Sequence, residues 1–240
     1  MSALIFLEDA YQREASAQVL CQTDDGGIVL DHSLFYPMGG GQPGDTGILA
    51  YEGRGIPIKT TIKGPQGIPV LIPEEGATLP EKGAKVDQTI DWATRYGHMR
   101  VHTALHLLSV VIPLPVTGGQ ISAQKGRLDF LMPDPPADKQ PLEDALNALI
   151  VRDLPVTQTW ISEAELDAKP GLVKTMSVKP PKGAGQIRLV RIGTEEDQID
   201  LQPCGGTHVH KTGEIGRIRF GKIENKGKQN RRVHIHLEDS

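Results

Sequence analysis

Between positions 102 and 106 the sequence reads His102-Thr-Ala-Leu-His106, inside a segment, residues 92–111, whose apolar side chains recur with the period of an α-helix. In a helix, positions i and i+4 lie on the same face, so both imidazoles can point at one metal ion. Much later comes Cys204-Gly-Gly-Thr-His208, which offers a thiolate and a third imidazole around a Gly-Gly pair that allows a sharp turn. Together the two stretches supply the Cys/His3 donor set that zinc prefers, so the sequence predicts one zinc site.

One further histidine, His98, lies four residues before His102 on the same predicted helix face. Spacing alone does not decide which pair of helical histidines binds the ion. It does exclude all three together, because eight residues of helix span about 12 Å, which is too long for His98 and His106 to share one tetrahedral ion.

The composition is that of an ordinary soluble protein, with 240 residues, of which 38% are hydrophobic and 4% aromatic. This length allows one large domain or two small ones. No run approaches the roughly 18 apolar residues of a membrane-spanning helix, and residues 1–9 lack the basic start of a signal peptide. The two cysteines, Cys21 and Cys204, form no disulfide framework. We therefore expect a cytoplasmic protein with no membrane association.

Positive charge is concentrated in two runs, although the net charge is −4. Residues 168–191 contain six Lys or Arg and no acidic residue, and residues 217–232 contain seven with one acidic residue, Glu224. The negative total argues against indiscriminate nucleic-acid binding and against DNA as a partner, whereas the basic runs can meet RNA phosphates. Solvated strand edges and loops are the alternative interpretation. The residues expected to be free for contact with such phosphates are Lys226, Lys228, Arg231 and Arg232.

Residues 1–90 contain short apolar runs separated by turn residues, which predicts a small β-barrel or sandwich. The expected strands are 3–7, 17–22, 27–31, 46–51, 56–62, 69–72 and 84–90. Residues 37–47 form a glycine-rich stretch with five glycines in eleven residues. Glycine lets backbone N–H groups approach a ligand closely, and Gln42 and Asp45 add side-chain polarity. A long hairpin loop is the simpler interpretation of the same stretch.

At Asp91 and Trp92 the hydrophobic period changes from two to 3.6, which predicts a boundary between a domain at 1–90 and a domain at 91–240. The helix at 92–111 should end before Pro113. The second half should be mixed, and the predicted fold class is α+β, with a small β-barrel-like domain followed by a mixed α/β zinc-containing domain. Its expected features are a loop at 118–119, a strand at 127–131, a helix at 142–150, a strand at 155–161, a capping box at 162–165, a basic loop at 178–185, a strand at 187–192, a hairpin across 216–223 and a strand at 232–237.

Five motifs occur along the chain in an order found in a known family. They are GGGQPGDTG at 39–47, HTALHLL at 102–108, GGQIS with GRLDF at 118–130, CGGTH at 204–208 and KGKQNRRVHI at 226–235. By these motifs the chain resembles the freestanding alanyl-tRNA editing proteins of the AlaX group over nearly its whole length. It is also similar to the editing domain of alanyl-tRNA synthetase and, more distantly, to that of threonyl-tRNA synthetase.

The resemblance implies an enzyme, a trans-editing aminoacyl-tRNA deacylase that hydrolyses serine or glycine wrongly attached to the alanine tRNA. It implies zinc as the cofactor, with His102, His106, Cys204 and His208 as the ligands, and it favours His98 as a structural helix residue. The glycine-rich N-terminal domain is similar to that of the medium-length members of the group.

The chemistry agrees with this function. A pocket sized for alanine cannot exclude glycine and discriminates poorly against serine, so a separate hydrolytic site is the physical remedy. That site can refuse alanine if it is polar, because a methyl group would leave buried donors and acceptors unpaired. The candidate substrate-binding residues are Gly39, Gly40, Gly41, Gln42, Thr103, Gln120 and Ser122. Zinc can polarise the ester or activate water, but four protein ligands would close the tetrahedron, so the catalytic group stays unassigned.

Two other functions fit the same residues. The first is a noncatalytic zinc-stabilised RNA-binding module, in which the Cys/His3 set is a closed structural site and the basic runs bind phosphate. The second is a zinc hydrolase for small esters or amides, in which the basic runs have no role. Deacylation of mischarged tRNA, compared with hydrolysis of a small aminoacyl ester, discriminates among the three.

Overall fold

A computed structural model describes residues 2–173 and 185–238 of the chain. These residues fold into a mixture of strands and α-helices, and the chain divides into two compact units, one ending at His98 and one beginning at Met99. The predicted basic loop at 178–185 lies outside the described residues except for its last position. Among the described residues, none of the helices has the length and apolar character needed to cross a membrane.

The unit that ends at His98 contains a closed barrel of six strands. The strands of this unit are β1 (Ala3–Leu4), β2 (Glu14–Gln22), β3 (Ile28–Leu30), β4 (His32–Ser33), β5 (Gly47–Tyr51), β6 (Arg54–Lys63), β7 (Pro69–Pro73) and β8 (Lys85–Ile90). The barrel order is β2-β3-β7-β6-β5-β8, with antiparallel neighbours throughout. Leu30, Leu49, Ile58 and Leu71 lie in its buried core. The expectation of a small barrel from the alternating apolar pattern is therefore confirmed.

The first predicted strand is wrong beyond Leu4. β1 pairs in parallel with β4, and the chain then forms a short helix, α1 (Ile5–Glu8). This helix buries Phe6, whose ring meets that of Tyr36 edge-on at 5.4 Å between centroids. A short apolar run such as this one has no period that separates a strand from a helix turn.

The glycine-rich stretch contains a tight turn. The backbone N–H of Gly39 donates to the carbonyl of Gln42, and that of Gln42 donates to the carbonyl of Gly39, both at 3.0 Å. Between them, Gly40 and Gly41 have φ angles of 59° and 85°, in the left-handed region that glycine enters at little cost. The backbone of the turn therefore favours glycine at these two positions.

Asp45, predicted to offer polarity to a ligand, is instead part of the buried interior of this unit. It is 1% exposed, and its carboxylate forms an ion pair with Arg95, which is equally buried. Arg95 also donates to the carbonyl oxygens of Ala10 at 2.9 Å and Leu34 at 2.6 Å. A buried charge is tolerated only when it is paired and hydrogen-bonded in this way, so the role of Asp45 is structural.

The helix predicted at 92–111 is confirmed as α2 (Trp92–Val111). Asp91 caps its start, since its carboxylate accepts from the backbone N–H of Thr94 at 3.2 Å and from the Thr94 hydroxyl at 2.7 Å. The helix ends two residues before Pro113, and the division between the two units falls inside it.

The unit that begins at Met99 contains two antiparallel sheets. Its elements after α2 are β9 (Val116–Ile121), β10 (Lys125–Leu131), α3 (Gln140–Val151), β11 (Val156–Ser162), α4 (Glu163–Asp167), β12 (Gln186–Gly193), β13 (Gln198–Pro203), β14 (Ile218–Asn225) and β15 (Asn230–Leu237). Four strands pair in the order β14-β15-β10-β9, and three pair in the order β11-β12-β13. The second predicted helix and the capping box between Ser162 and Glu165 are confirmed.

The four-stranded sheet packs closely on the part of α2 that bears the paired histidines. Gly126 of β10 lies so near this helix that a Cβ atom there would be 2.6 Å from Cγ1 of Val101. Leu128 and Phe130, at alternate positions of β10, are buried, whereas Arg127 and Asp129 lie on the opposite face of the sheet. Glycine at 126 therefore permits the close contact that holds this part of α2 in place.

Two predictions for this unit are wrong, and one strand was missed. The hairpin expected across 216–223 is absent from the described structure, because β14 passes through Gly221 and the chain turns at residues 226–229 instead. Gly221 is needed for space rather than for a turn, since a Cβ atom there would be 2.7 Å from Nε2 of His236. The loop expected at 118–119 is part of β9, and β13 was not predicted.

Candidate metal centre

The two motif stretches meet in the folded chain. The ligand atoms of His102, His106, Cys204 and His208 all lie within 4.8 Å of one another, and His98 is not among the four. Cys204 Sγ is 3.5 Å from Nε2 of His102 and 3.2 Å from Nε2 of His208. Tetrahedral zinc, with its usual bond lengths, sets such sulfur-to-nitrogen distances at about 3.5 Å. One soft sulfur, three imidazoles and this spacing fit a zinc ion.

His106 is fixed by a buried carboxylate. Its Nδ1 lies 3.0 Å from Oδ2 of Asp200, which is 2% exposed. Gln202 donates from Nε2 to the same oxygen at 2.7 Å. Because the carboxylate accepts the proton on Nδ1, the lone pair of Nε2 faces the centre, as in carboxylate-histidine pairs that support metals.

His208 is fixed by a hydroxyl. Thr103 Oγ1 donates to the carbonyl of Met99 at 2.9 Å, so it can only accept from Nδ1 of His208, which lies 3.2 Å away. It also accepts from the backbone N–H of Val209 at 3.3 Å. With its single donor used, Thr103 keeps the proton of His208 on Nδ1 and leaves Nε2 for a metal.

The turn that presents Cys204 is held by the backbone and by Arg188. The backbone N–H of Cys204 donates to the carbonyl of Arg188 at 3.1 Å, which continues the pairing of β12 with β13. Nη1 of Arg188 donates to the carbonyl oxygens of Cys204 and Gly206, at 3.0 and 2.8 Å. The N–H of Gly206 points back at Sγ of Cys204 at 3.4 Å. These contacts give the Cys-Gly-Gly turn one conformation.

The electrostatics favour a thiolate. Burial raises the pKa of Cys204, but electrostatic interactions with His102 and His208 and hydrogen bonds from His102 and His106 outweigh it and hold this pKa well below its usual value. Burial and the charge of His102 bring the pKa of His208 well below its usual value. Burial lowers the pKa of His106, but hydrogen bonds with Asp200 and Cys204 prevail and raise it to about 9. The lowered pKa of Cys204 favours the thiolate, which is the form that binds a metal ion.

The predicted substrate-binding residues have contacts of their own. Gln120, on β9, is exposed and accepts from Nε of Arg127 at 3.2 Å. The Ser122 hydroxyl donates to the carbonyl of Lys125 at 3.0 Å. Gln42 is fully buried in the unit that ends at His98, where it closes the turn formed with Gly39. Their roles toward a substrate stay predictions.

The four basic residues expected to be free for phosphate differ in their surroundings. Arg232 is not free, because its Nε and Nη2 donate to the carboxylate of Asp129 at 2.8 and 2.9 Å. Arg127 donates to the same carboxylate from the neighbouring strand. The ammonium of Lys226 lies 3.5 Å from Glu224. The expectation of free side chains is wrong for Arg232 and also for Arg231, whose guanidinium donates to the carbonyl oxygens of Gly227, Asn230 and Pro133. The tRNA-binding role of the four stays a prediction.

Two known families match parts of the chain. Residues 187–234, which include Cys204 and His208, match the family described as the second additional domain of threonyl and alanyl tRNA synthetases. Residues 5–94 match the family described as class II (A) tRNA synthetases. The fold and the site thus define a relative of these synthetase domains.

Individual relatives narrow the assignment. The chain is 36% identical to the alanyl-tRNA editing protein AlaX-M of Methanosarcina acetivorans and 35% identical to that of Methanosarcina barkeri, in both cases over 100% of each chain. It is also 36% identical, over 92% of its length, to 25% of the alanine-tRNA ligase of Pyrobaculum calidifontis. The chain belongs to the family of alanyl-tRNA editing proteins of the AlaX-M type.

The sequence interpretation missed Asp200, Gln202 and Arg188. A signal for the first two exists: positions 200, 202 and 204 alternate along a strand, so Asp200 and Gln202 share a face with Cys204. The strand itself was missed because polar residues occupy its inward positions. No local pattern indicates Arg188, whose contacts lie across the sheet.

Proposed function

We propose that this chain is a zinc-dependent trans-editing deacylase that hydrolyses serine, and also glycine, wrongly attached to the alanine tRNA in the cytoplasm. The observation that supports it most is the buried Cys/His3 cluster, with its positioning partners, in a member of the alanyl-tRNA editing family. In this proposal residues 1–90 form a glycine-rich-loop barrel domain and residues 91–240 form the zinc-binding editing domain.

Contacts within the chain orient three of the four proposed ligands. Asp200 and Thr103 hold protons on the Nδ1 atoms of His106 and His208, so their Nε2 atoms remain available. Arg188 fixes the turn that carries the thiolate. Zinc bound by these side chains supplies a Lewis acid for the ester or for the attacking water. Such preorganisation reduces the rearrangement that metal binding and catalysis require.

Selection of serine over alanine requires polar groups around the amino acid, because a methyl group leaves them unpaired. We assign this role and the binding of the aminoacyl end to the sequence-predicted set, Gly39, Gly40, Gly41, Gln42, Gln120 and Ser122. Thr103 was predicted in the same set. Its hydroxyl donates to the carbonyl of Met99, so its contacts support a role in positioning His208. The tRNA body is bound through Lys226, Lys228, Arg231 and Arg232.

The test uses alanine tRNA charged with serine, glycine or alanine, and measures deacylation together with bound zinc. We expect hydrolysis of the seryl and glycyl esters, little hydrolysis of the alanyl ester and one zinc per chain. Cys204→Ala should lose metal and activity together. Cys21→Ala is the matched control, since Cys21 is an exposed cysteine and should retain both.

Two results would point to the other functions. A wild-type protein that binds zinc and tRNA but leaves the seryl ester intact would be a noncatalytic RNA-binding module. Equal rates for seryl-tRNA and serine methyl ester would indicate a hydrolase of small esters that makes no use of the tRNA.

A further inference from the structure

Trp160 is a large aromatic side chain on β11 that remains 44% exposed. Among the described strands, β11 lies at the edge of its sheet, and the chain at His210 and Lys211 pairs with its start, near Pro155 and Val156, rather than with Trp160. Single exposed apolar residues are common and need no function. The neighbours of Trp160 are what distinguish it.

Trp160 lies directly across from Arg188, its partner in the pairing of β11 with β12. Opposed residues of an antiparallel pair project on the same face, with Cβ atoms about 4.5–5.5 Å apart. Gln158, two residues before Trp160, shares this face, and its side-chain oxygen accepts from Nε of Arg188. The three side chains therefore form one surface, which we call the Trp160 surface.

The Trp160 surface is joined to the metal centre through Arg188. The same guanidinium that binds Gln158 donates from Nη1 to the carbonyl oxygens of Cys204 and Gly206. One arginine side chain thus bridges from the strand of the exposed indole to the turn that presents the sulfur ligand. In an aminoacylated 3′ end, one ribose separates the ester from the terminal base.

The chemistry of the surface fits a nucleobase. Indole offers a flat face on which any base can stack, and proteins that hold single-stranded nucleic acid use exposed aromatics in this way. Gln158 adds an amide at the same edge, and Arg188 adds positive charge beside a polyanionic ligand.

We infer that Trp160 is the stacking surface for the 3′-terminal base of the tRNA substrate and that Arg188 sets its position relative to the metal centre. This inference rests on the proposed deacylase function and assigns that site a nucleoside-binding residue. The base stacks in the ground state and the transition state alike, so its loss should raise KM and leave kcat unchanged.

The kinetic test uses the full chain with seryl-tRNA of the alanine type. Trp160→Ala should raise KM by roughly 5- to 150-fold, the equivalent of one lost base-aromatic stack, with unchanged kcat and zinc content. Trp160→Phe, which keeps an aromatic face, should restore most of the affinity. Val151→Ala, at a position 77% exposed on a helix, is the matched control and should behave as wild type.

A binding test is independent of turnover. The chain has two tryptophans, so Trp92→Phe leaves Trp160 as the sole indole reporter. The trinucleotide CCA should quench the fluorescence of Trp160. A trinucleotide that keeps the terminal ribose but lacks the terminal base should not.

Three outcomes separate the possibilities. An unchanged KM for Trp160→Ala, or equal quenching by both trinucleotides, would overturn the inference. Association of wild-type chains that Trp160→Ala abolishes, with KM unchanged, would make the indole an interface between copies and overturn it as well. In the third outcome, CCA quenches the Trp92→Phe protein only when the terminal base is present, but the wild-type protein does not deacylate seryl-tRNA. That outcome would refute the proposed function alone.

Discussion

Nδ1 of His106 lies 3.0 Å from Oδ2 of Asp200, and neither side chain is more than 8% exposed. This contact joins the helix that supplies two of the candidate metal ligands to the strand that leads into the other two. It also determines which nitrogen of His106 faces the centre, because the carboxylate can only accept.

Replacing Asp200 by Asn should weaken metal binding by about 10- to 100-fold, the usual cost of removing a carboxylate behind a ligating histidine. Competition with a chelator measures this affinity. Asp197→Asn is the control, because Asp197 lies just before the same strand but forms an exposed ion pair with Arg152. Equal affinities for Asp200→Asn and wild type would show that the carboxylate does not support the metal.

Replacing Arg188 by Lys should also lower metal affinity, by at least about tenfold. A lysine keeps the charge but not the planar fork that reaches Gln158 and the carbonyls of the Cys204 turn. Arg191→Lys tests the same substitution on the same strand, where the side chain pairs with the exposed Glu195. If both variants bind metal alike, the turn is held without Arg188.

In the glycine-rich stretch, Gly40→Asn should slow deacylation by about tenfold or more without unfolding the protein. Gly40 has a positive φ and no atom within 4 Å of a built Cβ, and Asn tolerates that conformation. Gly53→Asn is a matched control at φ +74° with equally open space, in the turn between β5 and β6. Equal deacylation rates for the two variants would mean that the glycine-rich stretch is an ordinary hairpin loop.

The basic residues at 226–232 should determine the salt dependence of tRNA binding. Replacing Lys226, Lys228 and Arg231 by Ala should weaken binding of every tRNA alike and reduce the slope of log affinity against log salt by roughly one unit per lost phosphate contact. Adding Arg232→Ala should change the slope less than each of the others, since Asp129 already neutralises Arg232. Lys59→Ala, an exposed charge on the barrel, serves as the control. A wild-type slope in the triple variant would mean that tRNA is bound elsewhere.

The ion pairs of Asp129 predict a pH dependence of stability. Burial raises the pKa of this carboxyl, but hydrogen bonds from Arg232 and Arg127 outweigh it and hold the pKa below its usual 3.8. The pairs therefore contribute their full stability above pH 3.8 and lose it as the pH falls through the folded pKa. Asp129→Asn should lower the urea midpoint at neutral pH, and its difference from wild type should shrink in acid. If the difference between the urea midpoints of Asp129→Asn and wild type does not change with pH, the loss of stability comes from packing and not from the ion pairs.

The parts of the fold that were predicted correctly depend on local pattern. The helix from Trp92 to Val111 has its period, its cap and its terminating proline within its own sequence. The clustering of His102, His106, Cys204 and His208 could be predicted because a zinc site restricts residue type and spacing. Asp200 and Gln202 were missed because their polarity is satisfied by each other and by partners on α2, which is distant in the sequence. Gly221 was placed in a turn because its real constraint, the His236 ring across the strand pair, is not local.

The order of the ligands along the chain sets a schedule for synthesis. His102 and His106 leave the ribosome together, and Cys204 follows 98 residues after His106 (204 minus 106). Because synthesis proceeds at about 5–20 residues per second, Cys204 is made roughly 5–20 s after the two histidines. During that interval they can offer an ion only two of its four donors. In the proposed zinc protein the full set of four donors therefore forms late, and a bound ion would tie the helix to strands made many residues afterwards.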